Sequence, residues 1–569
     1  MGFIEFQPAN CKNCYKCIRY CAVKAISFQN EQARVIDNEC ILCGRCTMVC
    51  PQNAKQIKSD LETVQTAVQN HQKLIASLAP SYAAAFQGVS FAVLSNALKR
   101  LGFAQVEETA IGATEVSRQY EQLMQEGKME NILSTCCPSI IALVEKHYPE
   151  LTQYLAPVAS PSTVHARMIH AIYGNRAKVV FIGPCFAKKL ETGKRGDLFA
   201  VLTLAELQQW MKEAGIELLK SDEKAAEIQQ TKSRLYPVPG GIVSTLDVRA
   251  RKRYRCLSVD GLDRCMQTLE AMRTHRMKGY FIEMSACTGS CLGGPGMEGL
   301  GLPLVLAREE VVERARKRME GPAPLTENAK VDALAEYHAK PIKRKQPTEA
   351  QIQLILEKLG KRKEQDCLNC GTCGYSTCRE KAIAVFQKKA EVDMCIPYLH
   401  DRAQSLSHLV MDTSPNLIMI IDDDMRIREC SVAAEMYFGV KPEAIKGKPL
   451  EDFINAEDVR EVFRTHTSVH SRKVIYPDRN LVTIQNIAYI DDGNFVIATI
   501  IDVTREEKQA KQEYAKKKAT IDLAQNVIYK QMMVAQNIAG LLGETTAETK
   551  TTLMKLCSLI DDESESEVR

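Results

Sequence analysis

The chain has 569 residues, 45% of them hydrophobic and 25% charged, with a formal net charge of +4. That length predicts several domains with sizeable cores, and that charge is too near zero to support a nucleic-acid surface. No apolar run reaches a membrane-spanning length and no secretion signal opens the chain, so a soluble, cytoplasmic protein without membrane contact is expected. The 22 cysteines depart from ordinary composition, and in this setting they read as metal ligands in a reducing compartment rather than as disulfides.

Residues 1–60 carry Cys11, Cys14, Cys17 and Cys21, then Cys40, Cys43, Cys46 and Cys50 followed by Pro51. This is one C-x2-C-x2-C-x3-C spacing, twice. Three close thiolates cap one cubane, and the fourth of each run reaches the other cluster. Two [4Fe–4S] clusters are expected, one on Cys11, Cys14, Cys17 and Cys50, the other on Cys40, Cys43, Cys46 and Cys21. Zinc is the alternative. Two adjacent cubanes make a wire, not a catalyst. Leu61–Val68 reads as a helix leading to the next domain.

Over residues 70–320, strand-like runs (Leu74–Leu78, Glu130–Leu133, Lys178–Ile182, Tyr280–Met284) alternate with helical ones (Ile140–His147, Leu204–Ala214). The alternation predicts α/β layers with parallel sheets, whose ligands belong at the carboxyl ends of the strands. Three cysteine loops follow such runs: Cys136-Cys137-Pro138, Pro184-Cys185 with Lys188-Lys189, and Cys287 with Cys291 in a Gly-rich turn. Glycine lets backbone N–H groups approach sulfur. Cys256 and Cys265 lie outside every motif and are expected to be ordinary side chains.

The stretch 321–362, rich in Lys, Glu, Pro and Ala, reads as linker plus helix. Residues 363–400 hold Cys367, Cys370, Cys373 and Cys378, a helical run Arg379–Ala390, and Cys395. Residues 401–505 read as five strands (Leu417–Ile421, Arg426–Glu429, Arg472–Tyr476, Leu481–Ile490, Asn494–Asp502) with a helical region between the second and third and a hairpin turn at Asp491-Asp492-Gly493-Asn494. Residues 506–569 are helical and charged; Ile521, Ile528, Ala535 and Leu542 recur every seven residues as a short coiled-coil seam, which suits a homodimer or a docking partner. Asp561–Arg569 reads as a disordered end.

The three central cysteine loops, in this order, resemble the signatures of the [FeFe]-hydrogenase large subunit, as do Ala79-Pro80-Ser81, Tyr148-Pro149-Glu150-Leu151, Ser160-Pro161 and Gly240-Gly241. The resemblance implies an H-cluster, a [4Fe–4S] cubane joined to a diiron centre with CO and CN⁻ ligands. It implies Cys137, Cys185, Cys287 and Cys291 as ligands, Cys291 bridging, Cys136 as the proton-carrying thiol, and Lys188, Ser81 and Pro80 beside the diiron site. The set Cys370, Cys373, Cys378 and Cys395 is similar to the small [4Fe–4S] module of corrinoid iron–sulfur proteins, with Cys367 or zinc as variations. Residues 401–505 resemble a PAS domain, for which His466 or His470 as haem ligand and Cys430 as redox thiol are the less favoured options.

The expected fold is therefore multidomain α/β and α+β. It comprises a ferredoxin-like 2[4Fe–4S] domain (1–60), an α/β hydrogenase H-cluster domain (70–320), a linker and helix (321–362), a small [4Fe–4S] domain (363–400), a PAS domain (401–505) and a helical tail (506–569). The cofactors implied are the H-cluster and three further [4Fe–4S] clusters.

The sequence departs from the hydrogenase pattern at several points. Gly183 replaces the methionine before Pro-Cys, Ser139-Ile140 replaces Gly-Trp, and Ser290 replaces a glycine before Cys291. The relay serine aligns with Ala156, and the relay glutamate has only Glu115 or Glu121 as candidates. These departures predict slow turnover. The function implied is a sensory hydrogenase acting on H₂ and protons and signalling through the PAS domain and tail to a phosphatase or kinase. The alternatives are a ferredoxin-linked catalytic hydrogenase and an iron–sulfur carrier or scaffold without the diiron centre.

Overall fold

The computed structural model describes residues 2–193, 197–218, 232–300, 302–316, 326, 329–539 and 551–558. They divide into two units, Met1–Leu399 and His400–Arg569.

In the first unit the central domain has strands β1 Leu74–Leu78, β2 Gln105–Glu108, β3 Ile132–Leu133, β4 Lys178–Gly183, β5 Ala200–Thr203, β6 Arg255–Asp260 and β7 Tyr280–Ser285. Two parallel sheets result, in the orders β2-β1-β4-β5 and β6-β7-β3. β1 is buried at every position, as a strand covered on both faces requires. The covering helices include α1 Phe91–Arg100, α2 Ala110–Glu126, α3 Pro138–His147, α4 Pro161–Tyr173, α5 Leu204–Glu213 and α6 Leu262–Arg273. Their starts are readable locally. Pro138 and Pro161 occupy first turns, where a missing N–H costs nothing, and Thr203 exchanges capping hydrogen bonds with Glu206. The expected strand 130–133 is ordered as a strand only at Ile132–Leu133, where it pairs with Phe281 and Ile282.

The N-terminal domain is built twice from one pattern. Short helices Lys16–Tyr20 and Arg45–Met48 carry the inner cysteines, and the antiparallel pairs Ile26–Gln29 with Gln32–Val35 and Ile4–Phe6 with Lys55–Ile57 close the two halves. It seats on the central domain at Gly44, whose φ of +76° suits glycine and where a Cβ would lie 2.6 Å from Pro295 and 3.1 Å from Phe186.

The stretch read as linker is not a free linker. Residues 329–345 run as an extended strap along the central domain: Ala159 N–H donates to the Ala333 carbonyl, Ala335 N–H to Pro157, and Lys340 N–H to Glu145. Ala333 is buried, Tyr337 donates to the Val158 carbonyl at 2.8 Å, and Lys340 pairs with Glu145 at 2.5 Å. Val331, Ala333, Ala335 and Tyr337 also alternate onto the central core, a short period-two stripe among Lys and Glu residues that is easily read as linker. The helix expected somewhere in this stretch follows at Glu349–Lys358. The helix expected over Arg379–Ala390 spans Cys378–Phe386 and ends as the chain turns left-handed at Lys388 (φ +56°).

The second unit holds a five-stranded antiparallel sheet. Its order is Ile427–Cys430, Leu417–Asp422, Phe495–Asp502, Leu481–Ile490, Val469–Tyr476. Alternate residues of Leu417–Asp422 point into a core shared with Ala434, Val459 and Val462 on the helices between the second and third neighbours in sequence. His466 caps the helix Glu457–Thr465 and stacks on Tyr489, centroids 4.3 Å apart; His470 is exposed, and Cys430 faces the Pro442 carbonyl. Phe438, Phe453, Tyr476 and Arg479 line a cavity of about 10 Å³, room for about one water. Helix Thr504–Ala539 contains Ile521, Ile528 and Ala535, each half-buried; Leu542 and the expected disordered end 561–569 lie outside the described residues.

Candidate metal centre between two parallel sheets

Both sheets present carboxyl ends to one cavity. The Ala79–Ser81 loop leaves β1, Cys136 and Cys137 leave β3, Cys185 leaves β4, and Cys287 and Cys291 leave β7. Every one of these residues lines the same cavity, of about 100 Å³, together with Pro80 and Lys188. Parallel strands bring loops from distant sequence positions to one rim, and this is what gathers thiols 154 residues apart (Cys137 to Cys291). Among the described residues, no three His, Cys, Asp or Glu side chains converge on a point for one metal ion; these thiols ring a space.

Burial dominates the electrostatics. It pushes the Cys136 thiol up to about 12, against the Tyr120 hydrogen bond and the Lys188 charge, and Cys185 up to about 11, helped by Cys137. Cys287 and Cys291 are raised by burial and by the neighbouring thiols. Crowded, desolvated thiols of this kind become thiolates only when a cationic metal group supplies the compensating charge. Two buried hydroxyls on the cavity wall, Ser81 Oγ and Ser290 Oγ, have no protein partner. An unsatisfied buried hydroxyl costs about 1–3 kcal/mol, which an acceptor-bearing group in the cavity would relieve. The residues present therefore fit an iron–sulfur group with polar ligands.

Lys188 is buried, and burial alone would lower it; Glu191 at 2.9 Å and the nearby thiols outweigh that and hold it above its usual value. Lys188 also donates to the Cys136 carbonyl at 3.3 Å. Ser160 and Ser162, flanking Pro161, donate to Glu191 at 2.8 and 2.7 Å, which explains that sequence pair. Glu283, in the Glu-x-x-x-Cys run, accepts from Gly240 N–H and Val243 N–H, both at 2.9 Å, and so pins the Gly240-Gly241 turn to β7. A Cβ at Gly241 would fall 1.8 Å from the Leu235 carbonyl oxygen.

Other sequence expectations need correction here. Neither Glu115 nor Glu121 faces Cys136: Glu115 binds Arg118 and Gln119, and Glu121 accepts from Asp247 N–H. The group at the thiol is Tyr120, whose hydroxyl lies 3.3 Å from Cys136 Sγ and 3.3 Å from Thr135 Oγ1, and accepts from Thr135 N–H at 2.9 Å. One turn away, Ser117 joins Tyr236 at 2.8 Å and Thr245 at 2.7 Å. Ala156 is fully buried in the cluster that Cys136 packs against. The space opened by Gly183 is filled: a Cβ there would meet the Phe181 ring at 2.6 Å. Ser139 and Ile140 are buried in the first turn of α3.

The remaining cysteines fall into three neighbourhoods. Cys11, Cys14, Cys17 and Cys50 line one cavity with Lys55, whose Nζ is 3.5 Å from Cys17 Sγ. Burial raises Cys43, to about 12, and Cys46; both also sense Cys40 and Cys21, so these four sulfurs are neighbours, and Cys43 in turn bears on Cys287. Cys370, Cys373, Cys378 and Cys395 line a third cavity; Cys367 hydrogen-bonds with Cys378 but does not line it. This module seats on the N-terminal domain: Lys24 Nζ donates to the Gly374 carbonyl at 2.7 Å, Arg19 to Thr372 at 2.9 Å, and Phe28 N–H to Lys389 at 2.8 Å. Cys265 is buried with its thiol toward the Ser285 carbonyl, and Cys256 is half-buried.

Residues 72–295 match the family "Iron only hydrogenase large subunit, C-terminal domain", 10–58 the "4Fe-4S dicluster domain", 366–397 an Fe-S cluster family and 407–476 the "PAS fold". Iron hydrogenase 1 of Clostridium pasteurianum is 24% identical over 364 residues, 50% of this chain and 63% of that one. The periplasmic [Fe] hydrogenase large subunit of Nitratidesulfovibrio vulgaris is 26% identical over 387 residues, 56% of this chain and 90% of that one. The cytosolic Fe-S cluster assembly factor NAR1 of Encephalitozoon cuniculi is 24% identical over 206 residues, 32% and 56%. Among solved structures, [FeFe]-hydrogenase HydA1 from Chlamydomonas reinhardtii aligns with 50% of this chain and all of that one, at 17% identity and a TM-score of 0.38. The chain thus spans less than two thirds of the length of iron hydrogenase 1 and of NAR1. No helix among the described residues is long and apolar enough to cross a membrane. Within one polypeptide, residues 72–295 thus match the iron-only hydrogenase large-subunit family, preceded by a match to a 4Fe-4S dicluster domain and followed by one to the PAS fold.

Proposed function

We propose that the chain is a sensory [FeFe]-hydrogenase of the cytoplasm that interconverts H₂ with two protons and two electrons slowly and passes its redox state to a protein partner. The observation that carries the reading is the cavity itself. Five thiols ring it, and a buried lysine and the unpartnered Ser81 hydroxyl stand on its wall. In this reading Cys137, Cys185, Cys287 and Cys291 would hold the H-cluster. When bound, that group supplies the redox chemistry of H₂.

The protein's own part is positioning, proton supply and electron access. Lys188, kept charged by Glu191, and Ser81 would donate hydrogen bonds to the bound group, with Pro80 shaping the wall. Cys136 holds a proton, since burial keeps its thiol neutral. Tyr120 rather than a carboxylate stands behind it, and a phenol is a poor proton acceptor at neutral pH. That arrangement supports the reading of slow turnover. Electrons enter and leave on the Cys43 side, through cubanes on Cys40, Cys43, Cys46 and Cys21 and on Cys11, Cys14, Cys17 and Cys50. The module with Cys370, Cys373, Cys378 and Cys395 branches from that wire at Lys24. The PAS domain and the helix after it carry the output to a second copy and to a phosphatase or kinase.

A second reading, a cluster scaffold without the diiron unit, is supported by the match to NAR1. The buried Lys188–Glu191 pair and the free Ser81 hydroxyl favour the first, because a cubane alone needs neither. After anaerobic loading with the diiron cofactor, infrared spectra are expected to show Fe–CO and Fe–CN bands. A chain with all cubanes filled and no such bands is a scaffold.

A further inference from the structure

Ser290 carries two penalties that the glycine of the family pattern would avoid. Its backbone is left-handed, with φ +56°, a conformation that a side chain disfavours. Its hydroxyl is buried at 1% exposure with no partner among protein atoms. The backbone is held there by the turn: Gly289 precedes it at φ +81°, and Ser290 N–H donates to the Cys287 carbonyl at 3.1 Å. The turn therefore needs a left-handed residue but does not need a hydroxyl. Ser290 lines the same cavity as Cys137, Cys185, Cys287 and Cys291, yet it hydrogen-bonds to none of these sulfurs.

The geometry points to Ser290 as a hydrogen-bond donor to a sulfide of the cubane held by these four cysteines, setting that cluster's reduction potential higher than a glycine would. A donor aimed at cluster sulfur stabilises the more negative, reduced state, and such bonds are an established lever on cluster potential. Ser290 is a positioning residue: it supplies no ligand and carries no proton. It biases the cluster toward holding an electron, which suits a chain whose output is a redox state. The inference rests on the assignment of a cubane to these thiols but not on the diiron centre.

The test uses the full chain loaded with iron and sulfide only, so that it stands apart from the question of the diiron unit. The paramagnetic component of this site is the one lost in Cys185→Ala. Redox titration of that component is expected to show Ser290→Ala and Ser290→Gly both shifted downward. The expected size is about a tenfold fall in the reduced-to-oxidised ratio at fixed potential, about 59 mV for a one-electron couple. The other components should be unmoved, and Ser290→Gly should melt higher than Ser290→Ala because it also relieves the left-handed strain. An unshifted potential in Ser290→Ala overturns the proposal, as does a shift in Ser290→Ala that Ser290→Gly does not share. If no component is lost in Cys185→Ala, the cubane assignment itself fails and the proposal falls with it. Absent CO bands in the diiron-loaded protein would sink the enzyme reading and leave this result standing.

Discussion

At the scale of single residues, a polar network stands behind the cavity. Tyr120 accepts from the buried Thr135 N–H and faces the Cys136 thiol. Tyr120→Phe leaves that N–H unpaired, at about 1–3 kcal/mol. It is expected to lower the first unit's unfolding transition by that amount in denaturant titration, and to slow H₂/D⁺ exchange further. Unchanged exchange would mean that protons bypass this hydroxyl. A second network lies under β1 and β2. His165 Nδ1 meets Ser77 at 2.8 Å, His165 Nε2 meets Glu107 at 3.4 Å, and Tyr173 donates to Glu107 at 2.7 Å. Burial pushes the Glu107 carboxyl up, but the hydrogen bonds from His165, Thr326 and Tyr173 outweigh it and hold it below the usual 4.5. A depressed carboxylate stabilises the fold fully above its unfolded value and loses that contribution as pH falls through its folded one. Glu107→Gln should therefore flatten the acid limb of a stability profile taken over roughly pH 3–6, while the parent's falls.

At the scale of elements, segments of the first unit that are distant in sequence share small apolar clusters and one buried charged junction. Glu39, in the N-terminal domain, is buried at 5% exposure. It receives Arg344 of the strap at 2.6 Å and Lys389 of the third cysteine module, and its carbonyl meets His147 of α3 at 2.9 Å. Removing one partner of a buried ion pair strands the other charge, at about 3–5 kcal/mol. Glu39→Gln is expected to cost about that much and to raise amide exchange at residues 333–345 and 386–390 together. Exchange confined to either segment would show that the contacts are independent. Lys24 has a similar bridging place, donating to the carbonyls of Ile18, Arg19 and Gly374, and burial lowers its ammonium below the usual value.

At the scale of the whole molecule, a cofactor-bearing unit and a PAS-bearing unit share one chain. The 22 cysteines are distributed unevenly between them: Cys430 and Cys557 alone fall after residue 400. An electron supplier gains nothing from a domain without cluster ligands, whereas a sensor needs a two-state element that the redox site can bias. Deleting 506–569 is expected to leave H₂ exchange within about twofold and to abolish both partner binding and its H₂-dependence. A truncated chain that loses turnover but still binds would make the helix structural. Ile521, Ile528 and Ala535 are the positions at which polar substitution should reproduce the deletion.

Much of this was legible in the sequence wherever the determining physics is local. The spacing in Cys11–Cys21 and Cys40–Cys50 reports cluster chemistry because three ligands to one cubane must be near neighbours in sequence. The strands 74–78, 178–183 and 280–285 showed as apolar runs because a strand covered on both faces has no polar side to display. The left-handed turn at Gly289 was announced by its glycines. What the sequence left open are contacts that only the fold makes. Tyr120 reaches Cys136 because α2 passes the end of β3, and no spacing rule links two residues 16 apart on different elements. Phe181 compensates Gly183 across a strand pleat, so one substitution is interpretable only with the other in view. The strap looked like a linker because its alternation of Val331, Ala333, Ala335 and Tyr337 is short and built of small residues, and its ion pairs to Glu145 and Glu39 leave no pattern in sequence. The hydroxyl of Ser290 was visible as a departure from a pattern, but tertiary structure alone shows it buried, strained and unpartnered, since burial is a property of what surrounds a residue and not of the residue itself.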